Sequence, residues 1–530
     1  MNGDLFSKKK EIVELFMKKG VLVSSEILTE LEDESKVLKI YDAISKISSE
    51  GLAVLGGSTE SLMSILNIDN INWLELDRSK VLVEKGIKNA NESVVDSIIH
   101  SDAPKIQKIS VKEGVKVTFS YVEQVKKRDF QDFVDYFNNR YQSIENLLKG
   151  RQEMSNATSI SRALSKKTKE SLSIIGLVSN KQYTKNNNLM LTIEDPTGSI
   201  NVLVSKNKAE LFRAAGSIVL DEIIGISGVS GEKIIFANNI LWPDIPAGEL
   251  KRCEDEVYCA FLSDLHVGSS KFLPDEFNKF LGWINGEVGN EQQKNIAKNV
   301  KYIFIVGDLV DGCGIYPEQD KELEIPDIYA QYRECARLLR KIPPHIPLIV
   351  CPGNHDAVRV AEPQPVLPKT FAAPLHEMPN TILVSNPAMI NIHSSDGFSG
   401  FDVLLYHGYS FDHFVAEVDY LRNNGGYDRA DLIMKFLLQR RHLAPTHTST
   451  LYIPDIRKDY LVIEKVPDFF VSGHIHKSIN ANYKNVTMIC GSCWQSKTAF
   501  QEKVGHNPEP SRVPVVNLKT REVKILKFGH

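Results

Sequence analysis

The sequence predicts a multidomain chain: a small α-helical module at the amino terminus, a small β-barrel, and a larger α/β domain at the carboxy terminus. Three observations predict this order. First, 530 residues are too many for a single hydrophobic core. Second, apolar residues recur at helical spacing near the start and then as short strands between 172 and 242. Third, beyond 251 short apolar runs alternate with helical stretches, the pattern of a layered α/β domain.

Over residues 1–60, Ile12, Leu15 and Phe16, then Ile27, Leu28 and Leu31, then Leu38, Tyr41 and Ile44 fall at helical spacing. Ser24 and Asp33 supply helix starts. Nothing in this module carries chemistry, so it is either structural or a docking module for a partner protein. From 61 to 127 the apolar density falls, Asn, Ser, Asp and Lys are scattered, and the segment is expected to be a flexible linker. Its Lys105, Lys108, Lys112, Lys116, Lys126 and Lys127 can touch phosphates, although solvated linker charge is the simpler role.

The third segment, 128–248, opens with Phe130, Phe133, Val134, Phe137, Tyr141, Ile144 and Leu148 on one amphipathic helix. Five strands are expected after it, at 172–179, 189–194, 199–204, 218–227 and 233–241. Asp195, Pro196, Thr197 and Gly198 make a tight turn between the second and third. Five short strands of this kind resemble an OB-fold barrel. Such barrels bind single strands through aromatic platforms, and here Tyr183 and Phe236 are the main candidates. A barrel used for protein contact is at least as good a reading.

The last segment, 249–530, carries the chemistry. Apolar runs at 258–262, 302–306, 348–351, 403–406 and 469–471 each lead into a polar turn. The turns hold Asp264 and His266; Gly307, Asp308, Asp311 and Gly312; Gly353, Asn354, His355 and Asp356; His407; and Gly473, His474 and His476. Runs of that length are buried strands delivering polar groups at their carboxyl ends. A one-residue gap, as in Asp264/His266 and His474/His476, puts both side chains on one side of extended backbone. Carboxylate, amide and imidazole donors without a thiolate suit manganese, iron or zinc better than calcium. Five such clusters in one domain therefore predict a metal site. Helical stretches at 274–286 and 328–340 complete the α/β pattern.

Bulk properties exclude several classes. A net charge of −4 gives no global attraction to nucleic acid, leaving only local patches. Seven irregularly spaced cysteines do not form a disulfide framework and point to a reducing cytoplasm. Cys490 and Cys493 lack the second pair a zinc site needs and are expected to pack beside Trp494. Lys8, Lys9 and Lys10 precede an apolar run broken by charges, so neither a signal peptide nor a membrane span is expected. His393, His413, His442 and His447 lack a comparable context and are expected to be structural. Tyr316 can stack on a terminal base, but packing is its expected role.

The motif order D-x-H, G-D-x-x-D-G, G-N-H-D, H, G-H-x-H resembles the calcineurin-like metallophosphoesterase family. Together with the residues 314–317 and 441–445, and the order of linker, barrel and phosphoesterase domain, the chain resembles the small subunit of archaeal family D DNA polymerase. The resemblance is strongest over 170–500. It implies one metal held by Asp264, His266, Asp308 and His476, and a second by Asp308, Asn354, His407 and His474, with Mn²⁺ the expected ion and Fe or Zn²⁺ alternatives. It implies that His355 protonates the leaving 3′ oxygen, that Asp356 orients His355 from behind, and that Asp311 is either a similar support or a turn cap. The implied activity is 3′–5′ exonuclease proofreading of DNA. The implied partners are a large catalytic polymerase subunit and DNA with a 3′ end, with a sliding clamp or primase as candidates for the N-terminal module. The rival readings are a structural subunit without activity, and a stand-alone phosphoesterase or repair nuclease. Filled ligand positions argue against the first. About 250 residues and a barrel ahead of the metal domain argue against the second.

Overall fold

A computed structural model describes residues 21–23, 53–55, 114–124, 126–166 and 169–529. The chain divides into two compact units, Met1–Gln107 and Lys108–His530. In the first unit the described residues form two strands, β1 (Val21–Val23) and β2 (Ala53–Leu55), paired in parallel. The helices expected over 1–60 lie outside the described residues, as do Lys105, Lys108 and Lys112.

The second unit corrects the expected linker. Residues Val115–Ser120, placed within it, form strand β3. The segment alternates Val115, Val117 and Phe119 with Lys116, Thr118 and Ser120, a period of two that gives a strand one apolar side. The average polarity of the segment hid this alternation. Helix α1 (Phe130–Lys149) follows, started by a capping box in which Asp129 and Asp132 exchange side-chain and backbone hydrogen bonds. Helix α2 (Ile160–Ser165) leads into the barrel.

Strands β4 (Ser171–Tyr183), β5 (Leu189–Asp195), β6 (Gly198–Val204), β7 (Ile223–Ser230) and β8 (Ile234–Leu241) close into a barrel in the order β4-β5-β6-β8-β7. Helix α3 (Ala209–Gly216) lies between β6 and β7. The barrel is filled by Ile174, Val178, Leu191, Val202, Ile226 and Ile235. Its fourth strand starts five residues later than expected, because the segment before it turns at Asp221 with φ of 64°.

The remaining chain builds two facing six-stranded sheets. The first contains β9 (Tyr258–Leu262), β10 (Val300–Val306), β11 (Leu348–Cys351) and β12 (Thr381–Leu383), all parallel, with β18 (Arg512–Asn517) and β19 (Val523–Lys527) at one edge. The second runs β16-β17-β15-β14-β13-β3, from β13 (Ala388–Ile392), β14 (Phe401–Leu405), β15 (Phe469–Ser472), β16 (Ile479–Tyr483) and β17 (Val486–Cys490). Phe261, Phe304, Ile390, Val403 and Phe469 fill the space between the sheets. Helices α4 (Pro274–Ile284), α5 (Glu291–Lys298), α6 (Ile328–Leu339) and α7 (Lys369–His376) belong to the layer outside the first sheet. Helices α8 (Phe411–Glu417), α9 (Asp419–Asn423) and α10 (Ala430–Arg440) cover the second. Coverage on both faces is why β9 and β11 are apolar without alternation, and why β14 is apolar apart from Asp402.

Buried ion pairs lock these parts together. Arg140 of α1 is wholly buried and donates through Nε to Asp459 Oδ2 at 2.6 Å. Tyr136 donates to Asp459 Oδ1 at 2.8 Å, and His442 Nε2 to Oδ2 at 2.8 Å. On the barrel side, Arg440 pairs with Glu222 at 2.7 Å, and Thr446 donates to the Leu220 carbonyl at 3.1 Å. His442 is therefore structural, and its charge state is pinned. Its Nδ1 accepts from the Ala444 N–H at 2.9 Å, so protonation there breaks that bond. Burial, and then the Arg140 guanidinium, push His442 down to about 4. The folded pKa lies below the unfolded value near 6.5, so His442 contributes stability that is complete above pH 6.5 and lost as pH falls toward 4. That window carries about 3 kcal/mol. Urea unfolding between pH 7 and 4 is expected to lose this increment, and His442→Gln is expected to flatten it.

Candidate metal centre

The carboxyl ends of β9, β10 and β11 from one sheet meet those of β14 and β15 from the other. Asp264 and His266 follow β9, Asp308 follows β10, Asn354 and His355 follow β11, His407 follows β14, and His474 and His476 follow β15. All seven expected ligands and His355 are brought together. Asp264, His266 and His476 offer donor atoms within 4.8 Å of one another, as do Asp264, Asp308 and His407.

The backbone is strained here. Asp264, His266, Asp308, His474 and His476 all sit at φ between 50° and 71°, the left-handed region that side chains with a Cβ avoid. Each costs about 1–3 kcal/mol and persists because the surrounding sheets over-determine the turn. Gly353 must be glycine, because a Cβ would collide with the Asp308 carboxylate and backbone.

The donor atoms fit a cation. His407 donates its Nδ1 proton to the Val306 carbonyl at 2.9 Å. Its Nε2 faces Asp308 Oδ2, 3.2 Å away, and Asn354 Oδ1, 3.1 Å away. Burial works against a charged His407, yet the Asp308 carboxylate pushes it up to about 10. The field at this point calls for positive charge, which a bound ion also supplies. His266 repeats the pattern: Nδ1 donates to Asp311 Oδ1 at 3.1 Å, and Nε2 faces His476 Nε2 at 3.1 Å. His474 donates Nε2–H to Asp412 Oδ2 at 3.0 Å and turns Nδ1 toward Asn354 Oδ1 at 3.0 Å. Despite burial, His407 and the other imidazoles hold Asp308 well below the usual carboxylate range.

His355 stands beside this group. Its backbone N–H donates to Asp308 Oδ1 at 2.8 Å, its Nδ1 donates to the Asp311 carbonyl at 2.7 Å, and its ring meets His266 edge-on at 4.6 Å. Asp356 does not stand behind it. The Asp356 carboxylate accepts from the Gly353 and Leu309 backbone N–H groups at 2.9 and 3.3 Å and from the Tyr332 hydroxyl at 3.0 Å. Burial, with Asp308 nearby, raises it to about 7. The turn at 353–356 sends successive side chains apart, so a backbone carbonyl orients His355 and Asp356 braces the loops under it. Asp311 also accepts from Gln495 at 2.9 Å and Gln319 at 2.9 Å, which fixes the carboxylate that orients His266.

Asp412 was not among the expected site residues. It lies on α8, and nothing in its local sequence marks it; the fold alone brings it to His474. A carboxylate on the far nitrogen of a ligating histidine fixes its tautomer and raises its basicity. Asp412→Asn is expected to weaken metal binding about 10–100-fold, read by titrating Mn²⁺ into the metal-free protein. Glu362, likewise unexpected, is buried, accepts from Tyr406 at 3.1 Å, and is raised by burial to about 7.

The other candidates lie elsewhere. Cys490 and Cys493 are buried thiols pushed up by burial to about 12, so neither offers a thiolate. Tyr316 donates to Glu322 at 3.0 Å with its ring 6.3 Å from His355. His393 pairs with Asp255 at 3.0 Å, His413 packs on Phe414, and His447 stacks on Tyr452. No helix among the described residues is long and apolar enough to cross a membrane.

Residues 259–478 match the family described as calcineurin-like phosphoesterase. The chain is 35% identical over 522 residues to the DNA polymerase II small subunit of Methanothermobacter thermautotrophicus, spanning 98% of this chain and 100% of that protein. It is 40% identical over 403 residues to the subunit of the same name from Methanocaldococcus jannaschii, spanning 76% of this chain and 65% of that protein. For the Archaeoglobus fulgidus subunit the identity is 39% over 402 residues, spanning 75% and 78%. An end-to-end match at this identity, joined to a two-sheet domain with strand ends converging on a metal-ligand set, shows that the chain belongs to the archaeal DNA polymerase II small-subunit family.

Proposed function

We propose that this chain is an active proofreading subunit: a metal-dependent 3′–5′ exonuclease that hydrolyses DNA phosphodiester bonds and releases nucleoside 5′-monophosphates. The observation that supports this is the completeness of the centre, in which seven ligand side chains and a separate His355 converge. A purely structural subunit has no use for five strained ligand positions. Asp264, His266, Asp308 and His476 would hold one divalent ion, and Asp308, Asn354, His407 and His474 a second. The mixture of oxygen and nitrogen donors suits manganese, with iron or zinc as alternatives. When bound, such a pair supplies a hydroxide nucleophile at neutral pH and neutralises charge on the phosphoryl oxygens.

The chain's own residues do the rest. Asp308 presents a carboxylate to both positions. His355, with Nδ1 held by the Asp311 carbonyl, keeps Nε2 for a proton and can pass it to the leaving 3′ oxygen. The five-stranded barrel, closed in the order β4-β5-β6-β8-β7 with α3 between β6 and β7, supports reading this domain as an OB-type barrel. DNA synthesis would come from a large catalytic subunit, as the names of the relatives imply, with this chain in the same cytoplasmic assembly. The N-terminal unit is the candidate dock for a sliding clamp or primase.

The test is release of mononucleotides from single-stranded and 3′-mismatched DNA with Mn²⁺, by the chain alone and together with its large subunit. His355→Ala is expected to lower the rate about 10²–10⁴-fold while metal content, measured by mass spectrometry, is unchanged. An absence of release in every arm leaves the structural-subunit reading in place.

A further inference from the structure

A groove of about 440 Å³ opens beside the centre, between α9, the turn after it and the segment around Gly505. Its wall includes Ile475 and Lys477, the sequence neighbours of His474 and His476. Tyr427 and His506 line it as a ring pair with centroids 4.0 Å apart. Two cations line it as well: Lys477, steadied by Asp428 at 2.6 Å, and Arg422. Tyr427 also neighbours Asp412, the residue that holds His474. The volume lies in the range of small-molecule pockets. An aromatic pair offers a stacking face to any base, and the cations suit the attached phosphate.

We infer that this groove takes the 3′-terminal nucleoside of a DNA strand, with its base on the Tyr427–His506 pair; the inference rests on the nuclease reading above. His355, the group for the leaving 3′ oxygen, belongs to the other side of the centre, with His266, Asp311 and Tyr316. The departing monophosphate is therefore left on the His474 side, which the groove reaches through Tyr427 and Asp412.

The test compares binding of deoxyadenosine 5′-monophosphate and 2-deoxyribose 5-phosphate to the manganese-loaded full chain by calorimetry. Both carry the phosphate, so their ratio isolates the base. The native chain is expected to prefer the nucleotide about tenfold, the contribution of one stacked base. Tyr427→Ala and His506→Ala are expected to bring the ratio near one, and Tyr427→Phe to restore it. A ratio near one in the native chain, or an unchanged ratio in both alanine variants, overturns the groove. Tyrosine-dependent nucleotide preference without release from DNA overturns the nuclease reading and leaves the groove a nucleotide site. Release of mononucleotides from DNA by the native chain with a ratio near one does the reverse.

Discussion

Asp308→Ala is expected to abolish phosphodiester hydrolysis, lowering the rate by at least about 10³-fold. Its two oxygens serve different neighbours. Oδ1 accepts from the His355 N–H at 2.8 Å, while Oδ2 faces His407 Nε2 at 3.2 Å and His266 Nε2 at 3.9 Å. Alanine therefore removes the anion shared by both donor sets and the anchor of the His355 loop together. Metal content should fall in parallel, and mass spectrometry of the dialysed protein checks it. Folding should survive, because the substitution deletes a buried charge and a strained side chain, a trade between stability and activity common at active sites. A variant that keeps two ions and a tenth of the native rate would sink the assignment of Asp308 as the shared ligand.

The second large effect concerns stability. Asp459→Ala leaves Arg140 buried without its carboxylate, along with the Tyr136 hydroxyl and His442 Nε2–H. Breaking a buried pair from one side costs about 3–5 kcal/mol. Arg140 gains little from water, since it lies wholly inside and packs over the Tyr136, Phe137 and Tyr452 rings. Urea unfolding is expected to shift by that amount. Replacing both partners, as Arg140→Met with Asp459→Leu, should recover part of it, because no uncompensated charge remains while the Tyr136 hydroxyl and His442 Nε2–H stay unpaired. Equal losses in the single and double variants would show that packing, rather than the unpaired charge, sets the cost.

Much of the site was legible because its signals are local. A strand buried on both faces must be apolar throughout, and the polar turn that ends it must present its ligands within a few residues. The runs at 258–262 and 348–351 accordingly coincide with β9 and β11. The five barrel strands were legible for the same reason, through short runs and the Asp195 turn. What was missed depends on distance along the chain. Strand β3 needs β13, more than 260 residues later, before its alternation means anything. Asp412 acquires a role only when α8 is laid against His474. His442 looked unremarkable until Arg140 and Asp459 enclosed it.

By itself, then, the sequence determined the order of the barrel and the phosphoesterase domain, the strand ends, and the chemical kinds of donor at those ends. The tertiary structure decided that the donors come from two sheets rather than one, that Asp356 braces loops instead of His355, and that α1 is bolted to the phosphoesterase domain by a buried charge cluster. The physical reason is the range of the forces involved. Burial and turn geometry write themselves into neighbouring residues, whereas a hydrogen bond or ion pair between distant segments leaves no mark on either until the fold brings them within about 3 Å.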